Sequence, residues 1–428
     1  MKRCRSLFAG LFAAAGLLPG LPAIAQIDPG PAPPAAAIDA PAPVSDEAQQ
    51  LYTDALQSIA DGRKNDASAT LSRVIEHEPL HAGAWLDLAL IQCALGHAEE
   101  AERLFAIIEV RFAPPQEIVE LIASTRQAGC AAWQPLSQGT LSIGRGITQN
   151  ANQGSSRETF EASLDGVPIE LPLLEEFLPR HDQFTTVAGD YYRDLNANGT
   201  TGFAQFQARQ YDSLHEYNSA SLLLGVDTPW RYRRWTFRGS AMVGLTTLDG
   251  GLYQRLLQLQ MRVGVPLPLS SRYQFSVTGA VSHANYLTLS NFDSNTVELR
   301  SQFSYRKDDR FGYASVSALS DRATGDRPGG DRRGWLATLQ WRQALRAGIT
   351  GELGYTQQEW NSKEAYSPGF IDVARRQSNR TLRAALQYPV AKSQVVVLEG
   401  RQIRNHENIS IFQYNDRQLQ LSWQWQLP

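Results

Sequence analysis

From residue 137 to the C-terminus, segment after segment alternates apolar and polar side chains. In the last segment Leu419, Leu421, Trp423, Trp425 and Leu427 fall on one side, and Gln418, Gln420, Ser422, Gln424 and Gln426 on the other. A strand repeats every two residues, so this pattern predicts a strand with one apolar and one polar face. The alternation recurs at Trp235, Phe237, Ala241, Val243 and Leu245, and at Tyr253, Leu257, Leu259, Met261 and Val263. Val297, Leu299, Phe303 and Tyr305 repeat it, as do Trp335, Ala337, Leu339 and Trp341. Strands are predicted near 138–150, 183–195, 201–212, 216–226, 232–246, 252–264, 272–284, 294–306, 310–320, 331–343, 348–360, 376–388, 393–405 and 412–427. A weaker candidate lies at 157–164.

The links between these strands are of two kinds. One end has short turns at 196–200, 227–231, 265–271, 307–309, 344–347 and 389–392. The other has longer insertions at 151–182, 285–293, 321–330 and 361–375, with tight links only at 213–215 and 247–251. An even strand count with short turns at one end and longer loops at the other is the habit of outer-membrane barrels. Strands of 11–15 residues suit a tilted crossing of ~9–11 residues with overhang. A β-sandwich or propeller would have shorter strands and no polar face fit to line a lumen. The expected fold class is α plus membrane β: a short N-terminal helical module, then a ~14-stranded antiparallel transmembrane β-barrel over residues 137–428. Such a barrel is a single-chain, monomeric structure in the outer-membrane bilayer and needs the barrel-assembly machinery for insertion.

Upstream, residues 45–130 carry helical periodicity that repeats every 34 residues. Leu51 aligns with Trp85, Ala55 with Ala89, Gly62 with Gly96, Ala67 with Ala101, Leu71 with Phe105 and Val74 with Ile108. That period, with small residues where two helices cross, resembles tetratricopeptide repeats. Two repeats are followed by a predicted capping helix near Gln116 to Gln127, which such stacks need because a repeat cannot bury its apolar face alone. By that resemblance Tyr52 with Leu86 and Leu56 with Leu90 look toward a concave face that holds a partner; packing between neighbouring helices is the plainer role for them. Cys93 and Cys130 fall near the ends of successive helices, where a disulfide and two separate buried thiols are both open.

The N-terminus reads as an address. Lys2, Arg3 and Arg5 precede an apolar stretch from Leu7 to Leu18 and a small-x-small site at Ala23-Ile24-Ala25. This predicts a signal peptide over residues 1–25 and a mature chain starting at Gln26. Residues 26–44 are rich in Pro and Ala and read as an extended linker. With the signal comes a placement: barrel in the outer membrane, helical module in the periplasm.

Composition sharpens this picture. Mean hydropathy is −0.32, and no apolar run after the N-terminus reaches the ~18 residues of a spanning helix. The formal net charge of −3 argues against a nucleic-acid partner. Residues 45–130 carry a net charge of −8 and residues 131–428 a net charge of +4. Of the 40 basic residues only five are Lys, so nearly all of the barrel's cations are arginines. By strand alternation Arg234, Arg238, Arg262, Arg300, Arg306, Arg342 and Arg383 are expected to face the lumen. There they can brace the interior against acids such as Glu298 and Glu352, or form an electropositive path for a client.

Two catalytic-looking motifs do not hold. His77-Glu-Pro-Leu-His81 matches H-E-x-x-H, but Pro79 blocks the helix that would bring both imidazoles to one face. Asp194-Leu-Asn196-Ala-Asn198-Gly199 resembles a calcium loop, but Gln205 stands where a bidentate Glu is needed. No Ser-His-acid or Cys-His set assembles from the seven His, so no catalytic residue, metal site or cofactor is assigned and the chain is read as a non-enzyme.

A signal, a short repeat module and a roughly fourteen-stranded barrel, in that order, resemble the surface lipoprotein assembly modifier family (Slam, DUF560). Gly144-Arg-Gly146-Ile-Thr-Gln-Asn150-Ala-Asn152 resembles that family's glycine strand and Asn-x-Asn loop, and 166–182 followed by Phe184 to Leu195 resembles its long first loop. The resemblance implies translocation: a periplasmic client, a lipoprotein or a secreted protein, held by the repeats and delivered through the outer membrane to the cell surface. A polysaccharide-export repeat-barrel porin and a general solute porin are the alternatives.

Overall fold

The computed structural model describes residues 46–130, 135–164, 167–232, 234–267 and 272–427. The predicted signal peptide and the linker lie outside them. The chain divides into a helical unit and a strand unit, the architecture class the alternation predicts.

The helical unit holds α1 (Asp46–Ala60), α2 (Lys64–His77), α3 (Ala82–Ala94), α4 (Ala98–Phe112) and α5 (Gln116–Ala128). Residues that align at the 34-residue spacing are the ones buried: Ala55 and Ala89, Ala67 and Ala101, Leu71 and Phe105, Val74 and Ile108. Small side chains at the first two pairs let the helix axes approach, and the larger ones fill the space between. Gly62, at φ 75° between α1 and α2, and Gly96, at φ 83° between α3 and α4, hold the left-handed turns that end the first helix of each pair. Ile122 of α5 closes the core, and Cys93 is bonded to Cys130 just beyond α5, with Cα atoms 4.5 Å apart.

The strand unit is a closed, wholly antiparallel barrel of fourteen strands. These are β1 (Ser137–Thr148), β4 (Asp182–Asp194), β5 (Thr201–Tyr211), β6 (Ser219–Tyr232), β7 (Trp235–Leu248), β8 (Gly251–Val265) and β9 (Tyr273–Tyr286). The rest are β10 (Ser294–Lys307), β11 (Arg310–Ala323), β12 (Arg332–Ala344), β13 (Thr350–Ser367), β14 (Ile371–Ala391), β15 (Gln394–Glu407) and β16 (Tyr414–Leu427). β1 closes the ring on β16 from Gly139 opposite Leu427 to Thr148 opposite Gln418. The weak candidate at 157–164 is a strand outside the barrel: β2 (Thr159–Leu164) pairs with β3 (Val167–Pro172) as a separate hairpin.

The alternation settles which face is which. Leu299 and Val316 are each 58% exposed and point outward, while the intervening Gln302 and Ser317 are buried inside. At the short-turn end the outer wall carries aromatic rings: Trp230 stacks on Phe237 at 5.7 Å, Tyr305 on Trp341 at 6.3 Å, and Tyr273 lies 5.3 Å from Tyr305. Two sequence expectations need correction. Residues 361–375 are not a loose insertion; β13 and β14 run on through register shifts to a tip near Gly369. Tyr253 is not on the outer wall: a one-residue shift between Thr246 and Thr247 leaves it buried, edge-on to Tyr286 at 5.5 Å.

Candidate functional site: the barrel interior, its loop-end mouth and the helical module

Four of the seven expected lumen arginines lie on the inner wall within the strands. Arg383 of β14 donates through Nε to Glu399 of β15 at 2.7 Å and through a terminal nitrogen to Glu352 of β13. Arg401 joins the same Glu399 at 2.9 Å. Arg300 donates to Glu298 at 2.7 Å and also contacts Ser317. Arg238 lies 3.5 Å from Asp227 and is the cross-strand partner of Arg262, whose buried Nε has no partner. Arg306 and Arg342 are exposed at the turn end of the wall, flanking the Phe311 ring at 5.6 and 5.9 Å. Arg234 does not face the lumen; it is exposed in the turn between β6 and β7, where no strand orients it. Sequence reading missed Arg401, Glu399 and Asp227, although alternation against the outward Leu398 and Val226 marks all three as inward.

Neutral polar groups fill the space between these charges. Ser240 donates to Asp227 at 2.9 Å and Gln260 to Ser240 at 3.3 Å. Gln302 donates to Tyr313 at 2.9 Å and accepts from Ser276 and Thr278. The inner wall along β7–β11 is thus covered by its own hydrogen-bonded side chains. On β1 the inward positions Gly144 and Gly146 leave room for neighbours: a Cβ on Gly146 would stand 2.5 Å from the Phe184 ring.

At the loop end, the segment from β1 to β4 folds back over the strands. Asp416 of β16 accepts from the Thr148 hydroxyl at 2.8 Å and from the backbone N–H groups of Gln149 and Asn150 at 3.1 Å. Asn150 donates to the carbonyls of Gly154 and Asn415, and Asn152 to that of Leu178 at 2.8 Å. Gly154 is forced by this fold, because a Cβ there would meet the Leu178 carbonyl at 2.3 Å. The β2–β3 hairpin reaches the β13–β14 tip through the Ser163 N–H on Phe370 and through Phe160 packed on Phe370. It reaches the β15–β16 loop through Ser410 on the Thr159 carbonyl. The Asn-x-Asn segment therefore pins a hairpin from the β1–β16 seam to the β13–β14 tip. Buried Asp321, held by Arg327 at 2.8 Å and Arg332 at 2.6 Å, fixes the neighbouring β11–β12 loop.

In the helical unit, Tyr52 sits between α1 and α3. Its hydroxyl donates to Asp87 at 2.7 Å, its ring lies 4.3 Å from that of His81, and Gly83 makes room for it. Burial pushes the Tyr52 hydroxyl well above its ordinary value and raises the Asp87 carboxyl too, against the Tyr52 hydrogen bond, which lowers it. Leu86 and Leu90 pack half-buried on the core, and Leu56 is 41% exposed. The H-E-x-x-H residues are split as Pro79 dictates: His77 ends α2, and His81 caps α3 by accepting from the Ala84 N–H at 3.0 Å. The calcium-like segment is the turn between β4 and β5, with Gly199 at φ 76°.

No protein-family model matches the chain. No curated protein matches it either. Among solved structures it is similar to the anion-selective porin from Comamonas acidovorans, at 7% identity and a TM-score of 0.38, over 69% of this chain and 99% of that one. It is similar to a Pseudomonas aeruginosa FadL homologue at 9% identity and a TM-score of 0.38, over 69% and 90%. A BenF-like porin from Pseudomonas fluorescens Pf-5 gives 9% identity and a TM-score of 0.33, over 68% and 99%. At such identities the function rests on this chain's own side chains.

Proposed function

We propose that the chain is an outer-membrane translocator: the barrel is anchor and conduit, and the helical module binds a periplasmic client protein, a lipoprotein or a secreted protein, for delivery to the cell surface. The observation that carries the reading is the pairing of two unlike units in one chain. One is a closed barrel with an apolar outer wall and a turn-end aromatic girdle, the signature of a membrane barrel. The other is an acidic helical unit with its own core, closed by Cys93–Cys130, and a disulfide suits an oxidising compartment such as the periplasm. Short turns at one end and long loops at the other favour the loop end outside the cell and both chain ends in the periplasm. In the helical module Tyr52, Leu56, Leu86 and Leu90 remain the proposed client-binding set, with Leu56 the member most free to contact a client.

The alternative reading is a solute or polysaccharide channel. The interior of β7–β11, closed over by hydrogen-bonded side chains, and the pinned hairpin at the mouth favour a gated route over an open pore. The test is deletion of residues 46–130 in the producing cell, followed by comparison of the surface-exposed proteome. The truncated barrel should still insert and show heat-modifiable gel migration, with loss of one or a few surface proteins. An unchanged surface proteome beside altered uptake of small solutes overturns the reading in favour of the channel.

A further inference from the structure

We infer that the outer wall of β13–β16, at the loop end, is a binding site for the phosphate groups of a phosphorylated lipid of the outer leaflet. The inference rests on the membrane reading proposed above. Outward positions on these strands change abruptly from apolar to basic. On β14 the outward residues run Leu386, Ala384, Leu382, then Arg380 and Arg376; on β16 they run Leu421, Leu419, then Arg417. β15 follows with Leu398, then Gln402 and Arg404.

The registers bring these cations together. Arg380 is directly opposite Arg404, and Arg417 is opposite Gln402, one outward position along from Arg404. Like charges directly opposite on neighbouring strands repel. All four arginines are exposed, and among the described residues none forms an ion pair; the outward Glu359 of β13, opposite Ser378, instead accepts from Trp335 at 3.0 Å and Gln357 at 2.9 Å. The contrast with the inner wall is sharp, since Arg383, Arg300 and Arg375 all meet glutamates. The four arginines line a recess of about 1080 Å³ together with Glu359, Asp416 and the amides of Asn361, Asn408 and Asn415, so four cations face two carboxylates there. Guanidinium groups bind phosphate through paired N–H donors, and the amides suit the hydroxyls of a sugar headgroup.

Height on the barrel selects a lipid over a soluble anion. From the girdle residue Trp425 to Arg417 the strand covers ~26 Å. At a tilt of ~40° that is ~20 Å of height, close to the ~25 Å apolar band of such barrels. The arginines therefore stand where acyl chains end and headgroups begin. A phosphorylated lipid can place its phosphates in the recess and its chains on Leu382, Leu398 and Leu419, whereas free phosphate gains only the first of these contacts.

The test uses the full-length protein in detergent, with retention of added lipid read by native mass spectrometry. The probes are bisphosphorylated lipid A, the same lipid A after phosphatase treatment, and inorganic phosphate. The variants are Arg380→Gln/Arg404→Gln, the charge-preserving Arg380→Lys/Arg404→Lys, and Arg193→Gln at the turn end as control. The wild type and the control should retain bisphosphorylated lipid A at least tenfold better than the Gln pair, with the Lys pair between them. Dephosphorylated lipid should bind all forms equally weakly, and phosphate should compete only at much higher concentration. Equal retention by the wild type and the Gln pair overturns the proposal, as does equal retention of the two lipids. Displacement by phosphate at stoichiometric levels also overturns it, in favour of a soluble-anion site. Heat-modifiable migration and membrane fractionation of the same variants test the membrane reading separately.

Discussion

Leu299 offers the most direct test of the barrel's orientation in the bilayer. It is outward-facing, 58% exposed and near the middle of β10, and its cross-strand partners are the small residues Gly279 and Ala318. From Leu299 to the aromatic girdle at Tyr305 the strand runs ~20 Å. At a tilt of ~40° this is ~15 Å of height, half of a ~30 Å hydrocarbon core. An arginine there has no carboxylate within reach and lies far from either headgroup layer. Leu299→Arg should therefore cost ~2–4 kcal/mol, the range for a cation on the lipid face at the midplane. That is a ~30- to 1000-fold shift in the folding equilibrium. Ser304→Arg, on the same strand but facing inward near the wider turn end, should cost less than ~1 kcal/mol. The assay is urea unfolding of the full-length chain refolded into phosphatidylcholine vesicles, with the folded fraction read from heat-modifiable migration. Equal losses from the two substitutions, or a larger loss from Ser304→Arg, would refute the assignment of faces. A loss from Leu299→Arg in detergent micelles as large as that in vesicles would instead point to a packing defect.

Arg383→Gln removes the cation shared by Glu352 and Glu399 and should lower barrel stability by ~1.5–3 kcal/mol in the same urea assay. Adding Glu352→Gln should restore part of the loss, whereas an inert Arg383→Gln would show that the lumen ion pairs do not brace the barrel. Asp87 carries the pH prediction: burial raises its carboxyl above the unfolded value, so its contribution to folding is fully present below the unfolded pKa and is lost as pH rises through the folded one. Asp87→Asn should therefore slow amide exchange in α1 and α3 relative to wild type at neutral pH, with the difference vanishing near pH ~4; a constant difference across pH would assign it to packing instead.

The strands were legible because each carries an apolar outer side and a polar lumen-facing side, and a two-residue period survives any turn chemistry. Legibility failed where that contrast ends. Past the apolar band neither face of β13 and β14 is apolar, so Asn361 to Ser367 shows no alternation although it is strand. β2 was legible as a weak strand at 157–164, but its pattern did not place it outside the barrel, and its partner β3 went unread. Tyr253 failed for a different reason: it is itself the extra, unpaired residue of the shift in β8, and a bulge breaks the alternation at one position while leaving Leu257, Leu259 and Met261 outward. In the helical unit the 34-residue spacing identified the buried pairs, but not the Tyr52–Asp87 bond, which joins positions 35 apart and falls outside the repeat.

The arginines show most clearly what alternation can and cannot deliver. Arg380 and Arg383 stand on one strand, in a sequence where arginine is common, and nothing local separates them. Parity alone puts one inside and the other outside. What each then does depends on residues far along the chain: Arg383 is held by glutamates at 352 and 399, while Arg380 is set against Arg404 and the outward Glu359 on the adjoining strand is bonded to Trp335 and Gln357 instead. Enclosing an unpaired cation costs more than exposing one, so the interior must supply carboxylates and the outer wall need not. An outer wall that gathers more cations than carboxylates leaves part of their neutralisation to the surroundings. On the membrane reading proposed above those surroundings are headgroups, which would make the basic recess a property of the barrel's setting as much as of its fold.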